Sequence, residues 1–305
     1  MNKLLISSSP HIRAAASTST IMRDVLIALF PALIVSTVIF GARSLLVVAV
    51  CVATCVLCEW GFEKIVKKPS TIGDLSAVVT GVLLAYNLPV SIPIWQAIFG
   101  SIVAIVAVKQ LFGGIGQNFA NPAITARIVM LLAFSGTMTN WVFPDAVSSA
   151  TPLSLLATGD TAQLPALTDM FLGVRGGCLG ETSVLAILIG GIYLMCRKVI
   201  SWHTPVAFIG TVFVCTALLG EMPVYQILSG GLMLGAFFMA TDYATTPSTN
   251  SGRIVFGVGC GLITVLIRVW GNYPEGVSFS ILLMNIMAPY ISRWTRSKPF
   301  GGVQA

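Results

Sequence analysis

Ten apolar runs, broken by glycine, proline and scattered charge, follow one another along this chain, and a chain built that way has only one solvent in which it can fold. The runs extend roughly from Val25 to Phe40, Leu45 to Phe62, Leu75 to Leu88, Ile92 to Leu111 and Pro122 to Phe134. After a polar interval come Val184 to Met195, Pro205 to Leu219, Val224 to Ala240, Ile254 to Trp270 and Val277 to Ile291. A bilayer span takes about 20 mostly apolar residues. Only 9% of the 305 residues are charged and 56% are hydrophobic, where a soluble domain is roughly a quarter charged. These values exclude a soluble enzyme, a disordered tail and a nucleic-acid binder. The chain reads as an all-α integral membrane protein of about ten transmembrane helices. The third and fifth runs are short for a crossing, which predicts broken or tilted helices buried among the others.

Positive charge gives the direction, because cytoplasmic loops collect Lys and Arg. With the N-terminus inside, 14 of the 17 lysines and arginines fall on the cytoplasmic side, and Arg43, Arg175 and Arg268 fall outside. Both termini are then cytoplasmic, and the interval from Ser135 to Thr182 lies outside. The opening segment from Met1 to Met22 is polar and rich in Ser and Ala, without the apolar core of a signal peptide. The expected organisation is a cytoplasmic arm (1–24), a five-helix membrane unit (25–134), an extracytoplasmic loop (135–182), a second five-helix unit (183–292) and a cytoplasmic tail (293–305).

The two sets of five carry a repeat. Phe99, Gly100 and the apolar run to Gly114 match Phe256, Gly257 and the run to Gly271, and the stretch from Gly81 to Pro89 resembles that from Gly235 to Pro247. Similar glycine-containing helices also arise without a repeat. Because five is odd, a true second copy enters from the opposite side, giving inverted repeats of the urea- and ammonium-transporter kind. Such folds place interrupted helices between the repeats. Asn87 to Pro93 and Thr241 to Pro247 are the candidates.

The most informative polar stretch is Asp145-Ala-Val-Ser148-Ser149-Ala150-Thr151-Pro152. Physically it is a helix start, a hydroxyl residue before a proline at the first helical position. Its order also matches the acceptor for covalent flavin attachment, with Ser149 where glycine is common. Ser7 to Arg13, Gly113 to Ala123 and Met239 to Asp242 carry further matches. On these segments the chain resembles the family of membrane flavoprotein subunits that includes the D subunit of the Rnf ferredoxin:NAD oxidoreductase and the B subunit of the sodium-pumping NADH:quinone oxidoreductase. The Rnf side is favoured because the arm is short.

The resemblance implies that Thr151 carries FMN as a phosphoryl ester installed by a flavin transferase, with Asp145, Ser148, Ser149 and Ala150 forming the attachment motif. It implies a multi-pass subunit of the bacterial cytoplasmic membrane, in contact with lipid and with the A, B, C, E and G subunits of the Rnf complex. There it relays electrons between ferredoxin and NAD while sodium ions or protons move. A second, non-covalent flavin such as riboflavin is known in the related pump's homologous subunit, and the resemblance extends that option here without locating it. The chain has no NAD fingerprint, so it is a translocase subunit and not a complete enzyme, with no catalytic residue of its own assigned. The competing function is a small-solute channel or carrier of the same architecture.

Other residues stay open at this level. Gly113 to Ala123, with Asn118 and Asn121, offers backbone amides and a helix start to an anion or cofactor, or simply makes a tight re-entry. Lys109, Arg127 and Asp242 are read as lying near the cytoplasmic interface, where a long side chain can reach water. Arg268 sits near the outer end of the ninth run and has two partners to choose from, the FMN phosphate or Glu275. An ion pathway would want Glu59, Asp74 or Asp242. Cys51, Cys55 and Cys58 fall at i, i+4 and i+7 of one apolar helix, a poor cage for a cluster, and read as small buried side chains. His11 and His203 are isolated. No metal site is expected.

Overall fold

A computed structural model describes residues 17–141, 151–158, 164–271 and 276–296, and within them every regular element is helical. Asp145, Ser148, Ser149, Ala150, Glu275 and His11 lie outside the described residues. Among those described, three helices are long and apolar enough to cross a membrane: α1 (Thr18–Phe40), α2 (Ala42–Val66) and, later, α12 (Asn250–Trp270). The protein is therefore an all-α, multi-pass membrane protein. Helix α1 starts at Thr18, ahead of the apolar run, because Ser17 and Thr20 form a reciprocal capping box that satisfies the first amides.

The remaining helices of the first half are α3 (Ser76–Tyr86), α4 (Ile94–Gln110) and α5 (Pro122–Ala133). After a single helical turn at Ser135–Met138 come two more short helices, α6 (Pro152–Thr158) and α7 (Leu167–Leu172). The second half holds α8 (Val184–Cys196), α9 (His203–Leu218), α10 (Pro223–Leu228), α11 (Leu232–Leu234, continuing as a π-helix over Gly235–Met239), α12 and α13 (Val277–Trp294). Helix α4 also turns π-helical, over Val103–Gln110.

Lipid tails give no hydrophobic reason for one helix to prefer another, so close approach of backbones does the work. A Cβ on Gly81 of α3 would lie 2.7 Å from Cα of Val52 in α2, and one on Gly190 of α8 would lie 2.0 Å from the carbonyl oxygen of Ala28 in α1. Gly257 and Gly261, four apart on α12, press against Thr204 and Thr211 of α9 in the same way. These small residues let α1 cross α8, α2 cross α3, and α9 cross α12. One continuous apolar core runs through both halves.

Two chain breaks lie inside this core. After α3 the chain leaves helical form at Asn87, as expected, and the stranded carbonyls find partners from the interval between the halves. Gly180 N–H donates to Tyr86 O and Leu179 N–H to Leu88 O, each at 3.0 Å, and Cys178 Sγ donates to Asn87 O at 3.2 Å. Irregular backbone at this depth survives only when protein satisfies it. The interval read as a loop from Ser135 to Thr182 thus ends inside the bundle, where Cys178 through Ser183 are buried. Thr241 to Pro247 is non-helical, as expected, and the second buried break comes before it. The run from Val224 to Ala240 is not one helix: Ser229, Gly230 and Gly231 interrupt it, and both glycines have positive φ, 65° and 66°.

Candidate functional site

Each break is held by a buried arginine. Arg127, from α5, donates through Nη1 to Asn87 Oδ1 at 3.1 Å and to Ser278 Oγ at 2.9 Å, and through Nη2 to Cys178 Sγ at 3.6 Å. Arg268, from α12, donates through Nη1 to Gln226 O and through Nη2 to Ser229 O at 3.0 Å. The interfacial reading of Arg127 is corrected here: only 4% of it is exposed, and it serves the first break instead of reaching water. Asn87 and Ser278 are more than a hundred residues apart, so nothing local announces the pairing.

Lys109 is corrected in the same way. It is 3% exposed and pairs with Glu59, itself fully buried, at 2.8 Å, while also donating to Ser76 Oγ at 2.6 Å. Gln110 Nε2 donates to Glu59 at 2.9 Å, and Thr71 Oγ bridges Glu59 and the buried Glu63. Ser76 in turn donates to Asp74. The π-helical end of α4 turns Lys109 and Gln110 toward α2 together, and such local widening recurs at functional sites. Glu59 and Asp74, two of the three carboxylates singled out from the sequence, thus belong to one network. Glu63, Thr71 and Gln110 stand outside the sequence reading; the signal for the first two is the polar stretch at the C-terminal end of α2.

The third carboxylate, Asp242, faces this network across a cavity of about 110 Å³ between the halves, lined also by Ser76, Lys109, Asn118 and Asn121. Desolvation raises the Asp242 carboxyl above the usual carboxylate range, against hydrogen bonds from Thr245 Oγ and Ala244 N–H. Asn121 is mainly a cap. Its Oδ1 accepts from Ala123 N–H at 3.0 Å and Ile124 N–H at 3.4 Å, ahead of Pro122 at the first helical position, and its Nδ2 donates to Met239 O at 3.4 Å. Asn118 Nδ2 donates to Ala120 O at 2.9 Å. Replacing Asn121 by Ala is expected to lower stability by about 1 kcal/mol through the lost cap, read as a shifted thermal unfolding midpoint in detergent.

Thr151 stands at the start of α6, as its Pro152 predicts. Ser154 N–H donates to Thr151 Oγ at 3.2 Å, and Ser154 Oγ donates to Thr151 O at 2.8 Å. Helix α6 is seated on the second break. A Cβ on Gly230 would lie 2.2 Å from Leu153 Cδ1 and 2.8 Å from Arg268 Nη2, so Leu153 fills the space that glycine leaves beside the guanidinium. Leu153, Leu156, Arg268 and Glu221 line one cleft of about 170 Å³. The structure therefore brings Arg268 beside the Thr151 helix, and leaves Asn118 and Asn121 at a separate cavity.

Cys51 and Cys55 are fully buried, and Cys55 packs with Ala77 and Ile105. Among the described residues, no three His, Cys, Asp or Glu side chains group closely enough to hold a metal ion.

The described residues thus form a helical membrane bundle with two broken helices, a buried arginine at each break, and Thr151 at the head of a short helix seated on one of them. The chain belongs to the family described as NQR2, RnfD, RnfE, whose model matches residues 5–301. It is 51% identical to the D subunit of the Na(+)-translocating ferredoxin:NAD(+) oxidoreductase complex of Acetobacterium woodii, over 98% of this chain and 95% of that protein. It is 42% identical to the D subunit of the proton-translocating ferredoxin:NAD(+) oxidoreductase complex of Clostridium ljungdahlii, over 98% and 97%. To the D subunit of the ion-translocating oxidoreductase complex of Stutzerimonas stutzeri it is 38% identical, over 94% and 93%.

Proposed function

We propose that this protein is a membrane flavoprotein subunit of an ion-translocating ferredoxin:NAD oxidoreductase, carrying FMN esterified to Thr151. The observation that carries the reading is the setting of Thr151: an acceptor-like motif ending on a hydroxyl at the head of α6, with α6 seated by Leu153 against Gly230 and Arg268. The residues fit the group. Thr151 Oγ accepts from Ser154 N–H, and an ester removes the hydroxyl proton while leaving that acceptor in place. Arg268, buried beside the cleft, would set positive potential near the phosphate. When bound, FMN supplies the capacity to accept and release electrons, and this chain's residues position it and keep water from its protein-facing side.

The fuller architecture belongs to the same proposal: ten spans in two inverted five-helix repeats, both termini cytoplasmic and Thr151 on the opposite side. Two features support it. Helix α1 crosses α8, the first helix of each half. Each half also contains a broken helix, after α3 in the first and between α10 and α11 in the second. The ferredoxin and NAD reactions are assigned to the other members of the complex, the A, B, C, E and G subunits in the Rnf scheme, with a flavin transferase needed for maturation. A second, non-covalent flavin such as riboflavin is part of the reading. The cavity between the halves, at about 110 Å³, is below the roughly 300–1,000 Å³ of pockets that enclose small-molecule ligands, so it would have to widen to take one. The solute-channel reading has no comparable support, since the relatives are named as oxidoreductase subunits.

The test uses the assembled complex in membrane vesicles. Thr151→Val is expected to stop ferredoxin-driven NAD reduction and the linked ion uptake while all subunits remain assembled. Full activity in that variant would reject the relay.

A further inference from the structure

The face of the second half on which α8 ends and α9 and α12 begin holds a groove that the redox reading does not use. Its volume is about 580 Å³, and its lining includes Lys198, Trp202, His203, Asn250 and Arg253. Among the described residues no Asp or Glu lines it; Asp242 belongs to the neighbouring cavity instead. Helix α9 opens into it without a side-chain cap, and its first internal bond runs from Val206 N–H to Trp202 O at 3.1 Å. The amides of His203 and Thr204 precede that bond and point their dipoles toward the groove end. Helix α12 begins there too, with Asn250 in the lining and Arg253 held by its Nε on Pro247 O at 3.2 Å. His203 Nδ1 is shut off from solvent and has no hydrogen-bond partner.

We propose that this groove binds the headgroup of an anionic phospholipid. The phosphate chemistry follows from two basic side chains, Lys198 and Arg253, and an uncapped helix start, with no carboxylate among the described lining residues to oppose them. The lipid source, as against free phosphate, follows from what borders the groove. Trp202 is 57% exposed and stacks on His203 with ring centroids 4.2 Å apart, the placement of an interfacial tryptophan. Just beyond it the bundle surface is apolar, with Val206 56%, Ile254 44% and Val255 47% exposed. A polar, basic head site above an apolar flank matches one molecule that has both parts. Basic pockets between transmembrane helices at the cytoplasmic surface bind such lipids, and the distribution of Lys and Arg puts this face on that side.

The test is native mass spectrometry of the full chain released from mixed micelles of phosphatidylglycerol and phosphatidylcholine with matched acyl chains. Retention of phosphatidylglycerol over phosphatidylcholine on the order of ten-fold is expected from two basic contacts. Lys198→Ala combined with Arg253→Ala should bring the ratio close to one. Lys67→Ala with Lys68→Ala, which removes exposed charge away from the groove, should leave the ratio unchanged and shows that the effect is local. The proposal is overturned if the two lipids are retained equally, if the groove variant keeps its selectivity, or if inorganic phosphate alone at millimolar concentration displaces the lipid. That last result would make free phosphate the occupant. A groove variant with an altered unfolding midpoint is replaced by Lys198→Gln alone, for which a partial loss of selectivity is expected and an unchanged ratio counts against the proposal.

Discussion

Lys109→Met is expected to destabilise the protein by about 3–5 kcal/mol, the cost of leaving a buried carboxylate without its cation. Glu59 is fully buried and its partner is 3% exposed, at 2.8 Å, so water cannot replace the lost ammonium group. The carboxylate keeps only Gln110 and Thr71, neutral donors that do not balance a full charge. The same logic predicts a rescue. Adding Glu59→Gln to Lys109→Met removes the stranded charge, and the double variant should recover most of the loss, because an ion pair in an apolar setting contributes little net stability over a neutral replacement. Denaturation of the purified protein by titration with dodecyl sulfate gives both values. A single variant as stable as wild type, or a double variant worse than the single, would contradict the network described around Glu59.

The second large effect is steric. Gly190→Leu is expected to prevent α1 and α8 from meeting, because even the first added carbon would lie 2.0 Å from the Ala28 carbonyl oxygen, a backbone atom that cannot turn aside. Overpacking typically costs about 1–3 kcal/mol where neighbours can yield, and here the loss should exceed that range, so little folded protein would be recovered from membranes. Gly210 on α9 is the control. Nothing lies within 4 Å of a Cβ there, and Gly210→Ala should fold as well as wild type or slightly better, by up to about 1 kcal/mol of helix propensity. Comparable yields for Gly190→Leu and Gly210→Ala would mean that the α1–α8 crossing is wrong.

These contacts show which parts of the molecule the residues announce and which they conceal. Apolar runs reveal spans because each run is local, and α2, α5 and α12 fall close to where their runs lie. Proline after a hydroxyl residue or asparagine marks a helix start at Thr151 and Asn121 for the same reason. The partners of Lys109 and Arg127 are hidden because they come from helices far away in the chain. Near a glycine-rich turn, a lysine whose partner is fifty residues upstream looks like one that reaches water. The break at Ser229 to Gly231 left a visible trace, a glycine pair inside an apolar run, but apolar continuity outweighed it. The seat of α6 is the least legible feature of all. It depends on the absence of a side chain at Gly230 and on a guanidinium from α12, and no spacing rule joins these to Leu153.

Covalent flavin on Thr151 is the central claim, and the most direct measurement is the mass of the peptide that contains this residue. The full chain is produced together with a flavin transferase, denatured, checked for flavin fluorescence in the gel and digested. An FMN ester is predicted on that peptide, absent in Thr151→Val and retained in Ser154→Ala, which perturbs the helix cap but keeps the esterified oxygen. Unmodified peptide from wild-type protein made with an active transferase would contradict the claim.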